Sequence, residues 1–322
     1  MEYVFTLPAE RQAAVLAISS FDGVHREHQR MLAETVALAR RHGAAPIALL
    51  PWPVTSGDAT ANSILTTLSE RIALIERCAP SVRVVVLAAD AAQPWSPETL
   101  IQRITAGWDV AGVVVDPLAE ETLCGTELAE SARLTGLSVL SIASETAAVA
   151  PTGARIGSAI SEGRVSDAAL LLTYNYTLVA EVVGGDRRGR LLGFPTANLR
   201  VDAGKVIPGN GIYAVLVGLP GEQDAVRPAV ASVGVRPTFG DGNARLVEVH
   251  LLDLSMDLYG VRITTAFVEW LRSEERFATV EALIEQMRAD VEQARRHLAR
   301  HAASRLDERE AHGRFHQDDA HP

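Results

Sequence analysis

The pattern of apolar residues changes near the middle of the chain, and this change constrains the fold more than any other feature. From residue 13 to about residue 150, short apolar runs such as 47–50 and 112–115 alternate with stretches of helical periodicity. Continuous apolar strands that alternate with helices are typical of a parallel sheet covered by helices on both faces. The first half is therefore predicted to be an α/β domain.

The second half has a different pattern, in which β-branched runs are separated by glycine and proline without helical stretches between them. These runs lie at residues 177–183, 211–217, 230–233, 246–254 and 261–270. Short strands in direct succession predict an antiparallel barrel or sandwich. Apolar residues from Val280 to Leu298, mostly three or four positions apart, predict a final helix after the last strand.

A segment rich in Ala, Ser, Thr and Pro, residues 143–153, separates the two patterns. We expect a first domain over residues 1–154, one connecting helix within 155–175 and a barrel domain over 176–303. Residues 304–322 are charged and poor in large apolar side chains, so they are predicted to be a disordered tail. The length of 322 residues suits two domains of ordinary size.

Charge and hydropathy exclude several classes of protein. The formal net charge of -10 argues against a protein that coats nucleic acid, which needs an excess of Lys and Arg. The strongest apolar run, residues 84–89, is too short to cross a membrane, and the first eleven residues do not form a secretory signal. Cys78 and Cys124 are too few for a disulfide framework. We therefore expect a cytoplasmic protein with neither a nucleic-acid nor a membrane partner. Its oligomeric state stays open.

Gly185 and Arg190 lie in a glycine- and arginine-rich segment that follows the first strand of the second half. Such residues can surround a phosphate with backbone N–H groups and guanidinium donors. Thr196 and Asn198 follow two positions apart on an extended stretch, where their side chains share a face and offer oxygen ligands suited to Mg²⁺. Pro195 excludes a Walker P-loop because that motif must continue as a helix. The segment is predicted to be either a solvated hairpin turn or a site for nucleotide phosphate and Mg²⁺.

Glu248 is a carboxylate in the middle of a predicted strand, where it shares a face with His250. It lies either on the solvent-exposed face of a barrel or in an active site, where it would act as a base. Two histidines of the first half, His25 and His28, follow a strand-to-helix turn. They are predicted either to contact phosphate at the helix N-terminus or to be surface residues of a helix capped by Asp22. Zinc is disfavoured because no third ligand has a recognisable spacing.

The second half resembles the riboflavin kinase module of prokaryotic bifunctional riboflavin kinase/FAD synthetases. The segments that match, in the family's order, are 182–199 with its Gly-Phe-Pro-Thr-Ala-Asn, 208–215, 232–239, 247–260 and 271–277. The resemblance implies a small antiparallel barrel with a C-terminal helix. It implies transfer of the ATP γ-phosphate to the ribityl 5′-hydroxyl of riboflavin, with FMN as the product.

The same resemblance implies roles for individual residues. Thr196 and Asn198 would hold Mg²⁺ and the nucleotide phosphates, and Glu248 would be the catalytic base. Gly185 and Arg190 would lie over the ATP phosphates. Arg272 is a further candidate for contact with the flavin.

The first half resembles the FMN adenylyltransferase module of the same family, which implies a nucleotidyltransferase-like, Rossmann-like α/β fold. Its site motifs are altered: Glu27 replaces a glycine between two histidines, and Trp52 replaces a histidine between two prolines. An anionic side chain at Glu27 opposes nucleotide phosphate by exclusion and repulsion. His25, His28 and Arg155 remain as candidates for a degenerate site.

These departures favour a riboflavin kinase whose first domain retains the fold but has lost or altered adenylyl transfer. Two alternatives stay open. One is a fully bifunctional enzyme that also makes FAD. The other is a flavin-binding regulator without catalysis, against which the set of Thr196, Asn198 and Glu248 argues, because binding alone needs no base.

Overall fold

The computed structural model describes residues 11–53, 64–89, 95–116, 125–142, 152–185, 189, 192–222, 225–235, 245–254 and 256–315. Spatial proximity of Cα atoms divides the chain into two units. The first, here called the sheet unit, comprises Met1–Gly157, Leu171–Thr173 and Ala203–Lys205. The second, the barrel unit, comprises Ser158–Leu170, Tyr174–Asp202 and Val206–Pro322.

The sheet unit is built around five parallel strands in the order β3-β2-β1-β4-β5. Its elements are β1 (Ala13–Ile18), α1 (Arg26–His42), β2 (Ala45–Pro53), α2 (Leu68–Cys78), β3 (Arg83–Ala89), α3 (Pro97–Gly107), β4 (Asp109–Val115), α4 (Gly125–Leu134) and β5 (Val139–Ser141), followed by α5 (Gly153–Ser161). Helix α4 was not predicted. The α/β architecture predicted for the first half is confirmed.

Helices cover both faces of this sheet because the central strand is apolar on both sides. Val15 and Ala17 of β1 belong to a core shared with helices α1 and α2. Ala14 and Leu16 belong to a second core shared with α3 and α4. All four side chains are fully buried, so alternate residues of one strand serve two cores.

Strand β2 is longer than its sequence predicts. The apolar run 47–50, followed by Pro51 and Pro53, predicts a strand that ends at residue 50, but the strand continues to Pro53. Its pairing with β1 ends at Leu49, while its pairing with β3 continues to Pro53. The Leu49 carbonyl accepts a hydrogen bond from Ser19 N at 3.3 Å, so the backbone N and O atoms of residues 49, 51 and 53 point towards β1. A proline nitrogen is tolerated there because β1 has already ended.

The barrel unit contains six antiparallel strands that close in the order β10-β7-β6-β11-β8-β9. Its elements are α6 (Val165–Leu172), β6 (Thr177–Val183), β7 (Ala197–Arg200), β8 (Gly211–Gly218), β9 (Val226–Val235), β10 (Arg245–Leu251), β11 (Arg262–Arg272) and α7 (Val280–Phe315). Val233, Val247 and the edge-on ring pair Tyr213 and Phe267 are fully buried. The barrel with a C-terminal helix is confirmed.

Two predictions about helices were wrong. The connecting segment contains two helices, α5 and α6, instead of one. Gly163 interrupts them in a left-handed conformation with φ of 83°, and the N–H groups of Gly163 and Arg164 bond back to α5 in a glycine C-cap. At the C-terminus, α7 continues to Phe315, whereas residues 304–322 were expected to be a disordered tail; residues 316–322 of that segment fall outside the described residues. Residues 302–311 are rich in Ala, Arg, Glu and Leu, which favour helix.

Among the residues described, no helix is long and apolar enough to span a membrane.

Candidate active site

The strand register of the barrel unit places five residues in one row across neighbouring strands. Asn198 of β7 lies opposite Glu248 of β10, which lies opposite Ser232 of β9. The row continues through Ile212 of β8 to Arg272 of β11. Directly opposed residues point to the same face of a sheet. At about 4.8 Å between strands the row is roughly 19 Å long, so it joins residues distant in sequence into one surface.

Helix α7 and the segment before it cover this row and enclose a cavity of about 490 Å³. Towards β7, the cavity is lined by polar side chains of Thr196, Asn198 and Glu248. From α7, it is lined by apolar side chains of Leu283 and Met287. The end towards β7 therefore suits a charged, hydrogen-bonding ligand group. The other end suits a ring system with apolar faces and polar edge atoms, because Arg272 and Asp290 line the cavity there beside the apolar side chains.

Two glycines allow close packing at the polar end. A Cβ atom on Gly185 would lie 2.1 Å from Nδ2 of Asn198, so only glycine permits this approach of the amide to the backbone. A Cβ on Gly189 would lie 2.3 Å from the carbonyl oxygen of Phe194 and 3.4 Å from Oγ1 of Thr196. These glycines position the candidate Mg²⁺ and phosphate ligands. Arg190, predicted to lie in the same loop, falls outside the described residues.

His250 holds the segment that leads into Thr196. Its Nδ1 donates to the carbonyl oxygen of Pro195 at 2.8 Å, and its ring lies edge-on to Phe194 with 5.4 Å between centroids. It lines the cavity on the same face as Glu248, as the strand periodicity predicted. A role for His250 could not be predicted from the sequence, because strand alternation does not indicate which backbone carbonyl the imidazole contacts.

Arg272 lies at the other end of the row, where Asp290 of α7 binds it through both carboxylate oxygens. This hydrogen bonding raises the pKa of the arginine further. Nearby, burial raises the pKa of Glu274, whose carboxylate lies so close to Gly234 that a Cβ there would be 2.3 Å away. Asp290 was missed from the sequence. The sequence does contain a signal for it: Asp290 lies three residues after Met287, so it falls on the apolar side of the helix, where a carboxylate needs a partner.

The candidate histidines of the sheet unit, His25 and His28, are buried, which contradicts the prediction of surface histidines. His25 and His28 are 3% and 1% exposed, and their rings stack at 3.8 Å. Desolvation lowers the pKa of His25 to about 4 and that of His28 well below its ordinary value. Both rings are therefore neutral at pH 7, and Nε2 of His28 is bonded to Oγ of Ser19 at 3.0 Å.

Asp22 does not cap helix α1, which was the alternative prediction. His25 is the N-cap, without a side-chain capping bond. Asp22 instead accepts hydrogen bonds from the backbone N–H groups of Leu65 and Thr66 and from the Thr66 hydroxyl, and it forms an ion pair with Arg71 at 2.6 Å. The carboxylate thus serves the segment before α2, because three donors there outweigh the single bond of a cap.

Glu27 lies in the first turn of α1 and is only 8% exposed. One of its carboxylate oxygens, Oε2, has no hydrogen-bond partner within the described part of the chain. Trp52 lies against the Arg71 guanidinium, 4.9 Å from ring centroid to Cζ. Arg155 lies on the exposed side of α5. The described residues contain no cluster of three His, Cys, Asp or Glu side chains that could hold a metal ion.

Comparison with known proteins gives matches to both units. A family model for riboflavin kinase (flavokinase) matches residues 172–298, and one for FAD synthetase matches residues 7–117. The bifunctional riboflavin kinase/FMN adenylyltransferase of Listeria monocytogenes is 31% identical over 296 residues, which cover 89% of this chain and 93% of the relative. The enzyme of the same name from Escherichia coli K12 is also 31% identical over 296 residues, with coverage of 88% and 92%.

A solved structure titled macrolide-efflux protein, from Streptococcus pneumoniae, has the same fold. Its TM-score is 0.77 at 24% sequence identity, and the match covers 89% of this chain and 95% of that chain.

Proposed function

Because this chain belongs to the bifunctional riboflavin kinase/FMN adenylyltransferase family, we propose that its barrel unit is an ATP-dependent riboflavin kinase whose catalytic base is Glu248. The observation that carries the proposal is the cross-strand row, which brings Asn198 and Glu248 into one cavity with an apolar end. A kinase for riboflavin needs both ends, since one substrate carries phosphates and the other carries a ring system.

Glu248 would accept the proton of the ribityl 5′-hydroxyl while that oxygen attacks the γ-phosphorus of ATP. The new P–O bond gives FMN, and the bond between the γ-phosphorus and the bridging oxygen breaks to release ADP. Thr196 and Asn198 offer neutral oxygen donors, which fit Mg²⁺ that is otherwise held by phosphates and water. Mg²⁺ bound there would neutralise charge on the phosphate oxygens. Gly185 and Arg190 would belong to the loop over the phosphates.

The test is chromatography of the products formed from riboflavin and MgATP by the purified full chain. The proposal expects FMN in amounts that match the ADP released. Tight riboflavin binding without ATP consumption would instead support a flavin-binding regulator.

We further propose that the sheet unit has lost adenylyl transfer. The supporting observations are the buried carboxylate of Glu27 in the first turn of α1, where phosphate would approach, and the neutral, desolvated pair His25 and His28. A helix N-terminus attracts phosphate, but a carboxylate already present there competes for the same N–H groups.

The competing proposal is a fully bifunctional enzyme, and it is favoured by the FAD synthetase match over residues 7–117. Incubation of the chain with FMN and MgATP separates the two. Formation of FAD and pyrophosphate supports bifunctionality, and their absence under conditions where riboflavin is phosphorylated supports loss. The Glu27→Gly variant is the matched comparison, since it removes the side chain that stands where the family motif has glycine, and Glu27→Gln separates the effect of the charge from that of the side chain's size.

A further inference from the structure

Helix α7 holds the guanidinium of Arg272 in one orientation. Nε and Nη2 donate to Oδ1 and Oδ2 of Asp290 at 2.8 and 2.7 Å, and Nη1 donates to the carbonyl of Ser273 at 2.8 Å. Asp290 is only 3% exposed, and its Oδ1 also accepts from Nε2 of Gln286 at 2.9 Å. A paired fork of this kind fixes the plane of the guanidinium as well as its position.

This buried ion pair lines the cavity instead of the interior of a core. Arg272 and Asp290 line it together with Leu283 and Met287, at the end of the row remote from Asn198. Removal of two charges from water is costly, and apolar residues would fill the same space at least as stably. Of the five N–H groups of Arg272, the bonds above use three, and within the described residues the two that remain on the Nη atoms have no hydrogen-bond acceptor, although the carboxylates of Glu274 and Glu275 interact electrostatically with the guanidinium.

We propose that Asp290 is a positioning residue for riboflavin: it orients Arg272 so that the remaining N–H groups donate to the carbonyl oxygens of the isoalloxazine ring. The apolar side chains from α7 contact the ring faces. The proposal rests on the proposed kinase function, and it assigns to the C-terminal helix a part in substrate binding. Asp290 itself does not touch the substrate, so its effect passes through Arg272.

A second ion pair between α7 and the barrel provides the matched control. Arg295 donates to Asp253 at 2.7 Å, joining the same helix to the turn after β10. These side chains are 38% and 70% exposed and do not line the cavity. Asp253→Asn therefore removes a charge of the same kind, against the same helix, away from the substrate. Asparagine also accepts the positive φ of 58° found at this position.

The experiment measures the riboflavin Kd by quenching of flavin fluorescence, and the KM values for riboflavin and ATP, in the full chain. Asp290→Asn preserves size but places an amide N–H₂ against guanidinium donors. The expected result is about a tenfold increase in the Kd and KM of riboflavin. The KM of ATP should stay unchanged, and Asp253→Asn should stay within about twofold of the wild type for all three constants.

A double-mutant cycle separates positioning from general support of the fold. If Asp290 acts through Arg272, Asp290→Asn should add no further increase in riboflavin Kd once Arg272→Ala is present. An equal increase in both backgrounds, or equal increases in the KM of riboflavin and ATP, would overturn the proposal.

A third variant keeps the test decisive if Asp290→Asn does not fold. Gln286→Ala removes one bond to Asp290 without a change of charge, and it should raise the KM of riboflavin about two- to threefold. An unchanged KM of riboflavin in this variant contradicts the proposal.

Failure of the kinase function and failure of the positioning role give different results, because riboflavin Kd is measured without turnover. A wild-type chain that binds riboflavin but forms no FMN refutes the kinase function, and the double-mutant cycle still tests whether Asp290 positions Arg272.

Discussion

The two units treat their polar candidate residues in opposite ways. In the barrel unit, Thr196, Asn198 and Glu248 line a cavity. In the sheet unit, Asp22 is bonded to the segment before α2, while His25 and His28 are buried against each other. The same chain thus contains one site whose polar groups face an open volume and one whose polar groups are enclosed by the protein.

The fold of each unit and its site are therefore specified by separate sets of residues. The sheet unit keeps its two cores because alternate residues of β1 are apolar; neither core includes Glu27, whereas Trp52 packs against the first core as a partly buried side chain. Substitution at Glu27 therefore changes which ligand the first turn of α1 can bind and leaves the apolar burial that stabilises the sheet in place. If the contrast between the units is real, it should extend to catalysis, stability and loop geometry.

Glu248→Gln should have the largest effect. The amide keeps the shape of the side chain but cannot accept the hydroxyl proton, so kcat for FMN formation should fall by about 10²–10⁴-fold with riboflavin Kd unchanged. Steady-state kinetics and fluorescence quenching measure the two quantities. Glu181→Gln is the control, because Glu181 is another mid-strand carboxylate of the barrel, paired with Arg200 and away from the cavity. If kcat falls equally in both variants, Glu248 is not the catalytic base.

The next effect concerns acid stability and should be confined to the sheet unit. Burial lowers the pKa of His25 to about 4 and that of His28 well below 6.5, so the unfolded chain binds more protons than the folded one between pH 6.5 and 4. The free energy of unfolding of this unit should therefore fall as the pH falls through that window, by about 3 kcal/mol for His25 alone. Among the described residues of the barrel unit, no histidine is buried.

Tryptophan fluorescence can follow that unit by itself. Trp52, Trp95 and Trp108 belong to the sheet unit and Trp270 to the barrel unit, so a Trp270→Phe chain reports the sheet unit alone during urea unfolding. The double variant His25→Gln, His28→Gln should flatten the pH dependence between pH 6.5 and 4. A slope that persists in this variant would assign the acid sensitivity to other groups.

Much of the fold was predictable from the sequence, and the failures have identifiable causes. Periodicity gave the α/β and barrel architectures because both depend on which residues are buried. It did not predict the break at Gly163, since apolar residues continue on both sides of it. It also did not predict that β2 continues through its prolines, because a strand tolerates proline only where the neighbouring strand has ended.

The site was predictable only in part. Strand alternation placed Glu248 and His250 on one face, but register decides that Glu248 lies opposite Asn198, and no local pattern encodes register. The partner of Arg272 comes from a helix 18 residues later in sequence, so only tertiary packing identifies Asp290. Burial of His25 and His28 was likewise hidden, because histidine is found in both environments.

The smallest of the three effects tests the glycine that supports the open site. A Cβ on Gly185 would lie 2.1 Å from the Asn198 amide, so Gly185→Ala must displace that side chain from its position at the polar end of the cavity. Displacement of a ligand to Mg²⁺ and phosphate should raise the KM of MgATP about tenfold, with riboflavin Kd unchanged. Gly218→Ala is the control, because its Cβ would meet only Thr264 at an ordinary 3.8 Å. If Gly185→Ala has the same KM of MgATP as this control, the position of the Asn198 amide does not depend on the glycine. The polar end of the cavity would then tolerate a larger side chain at this position.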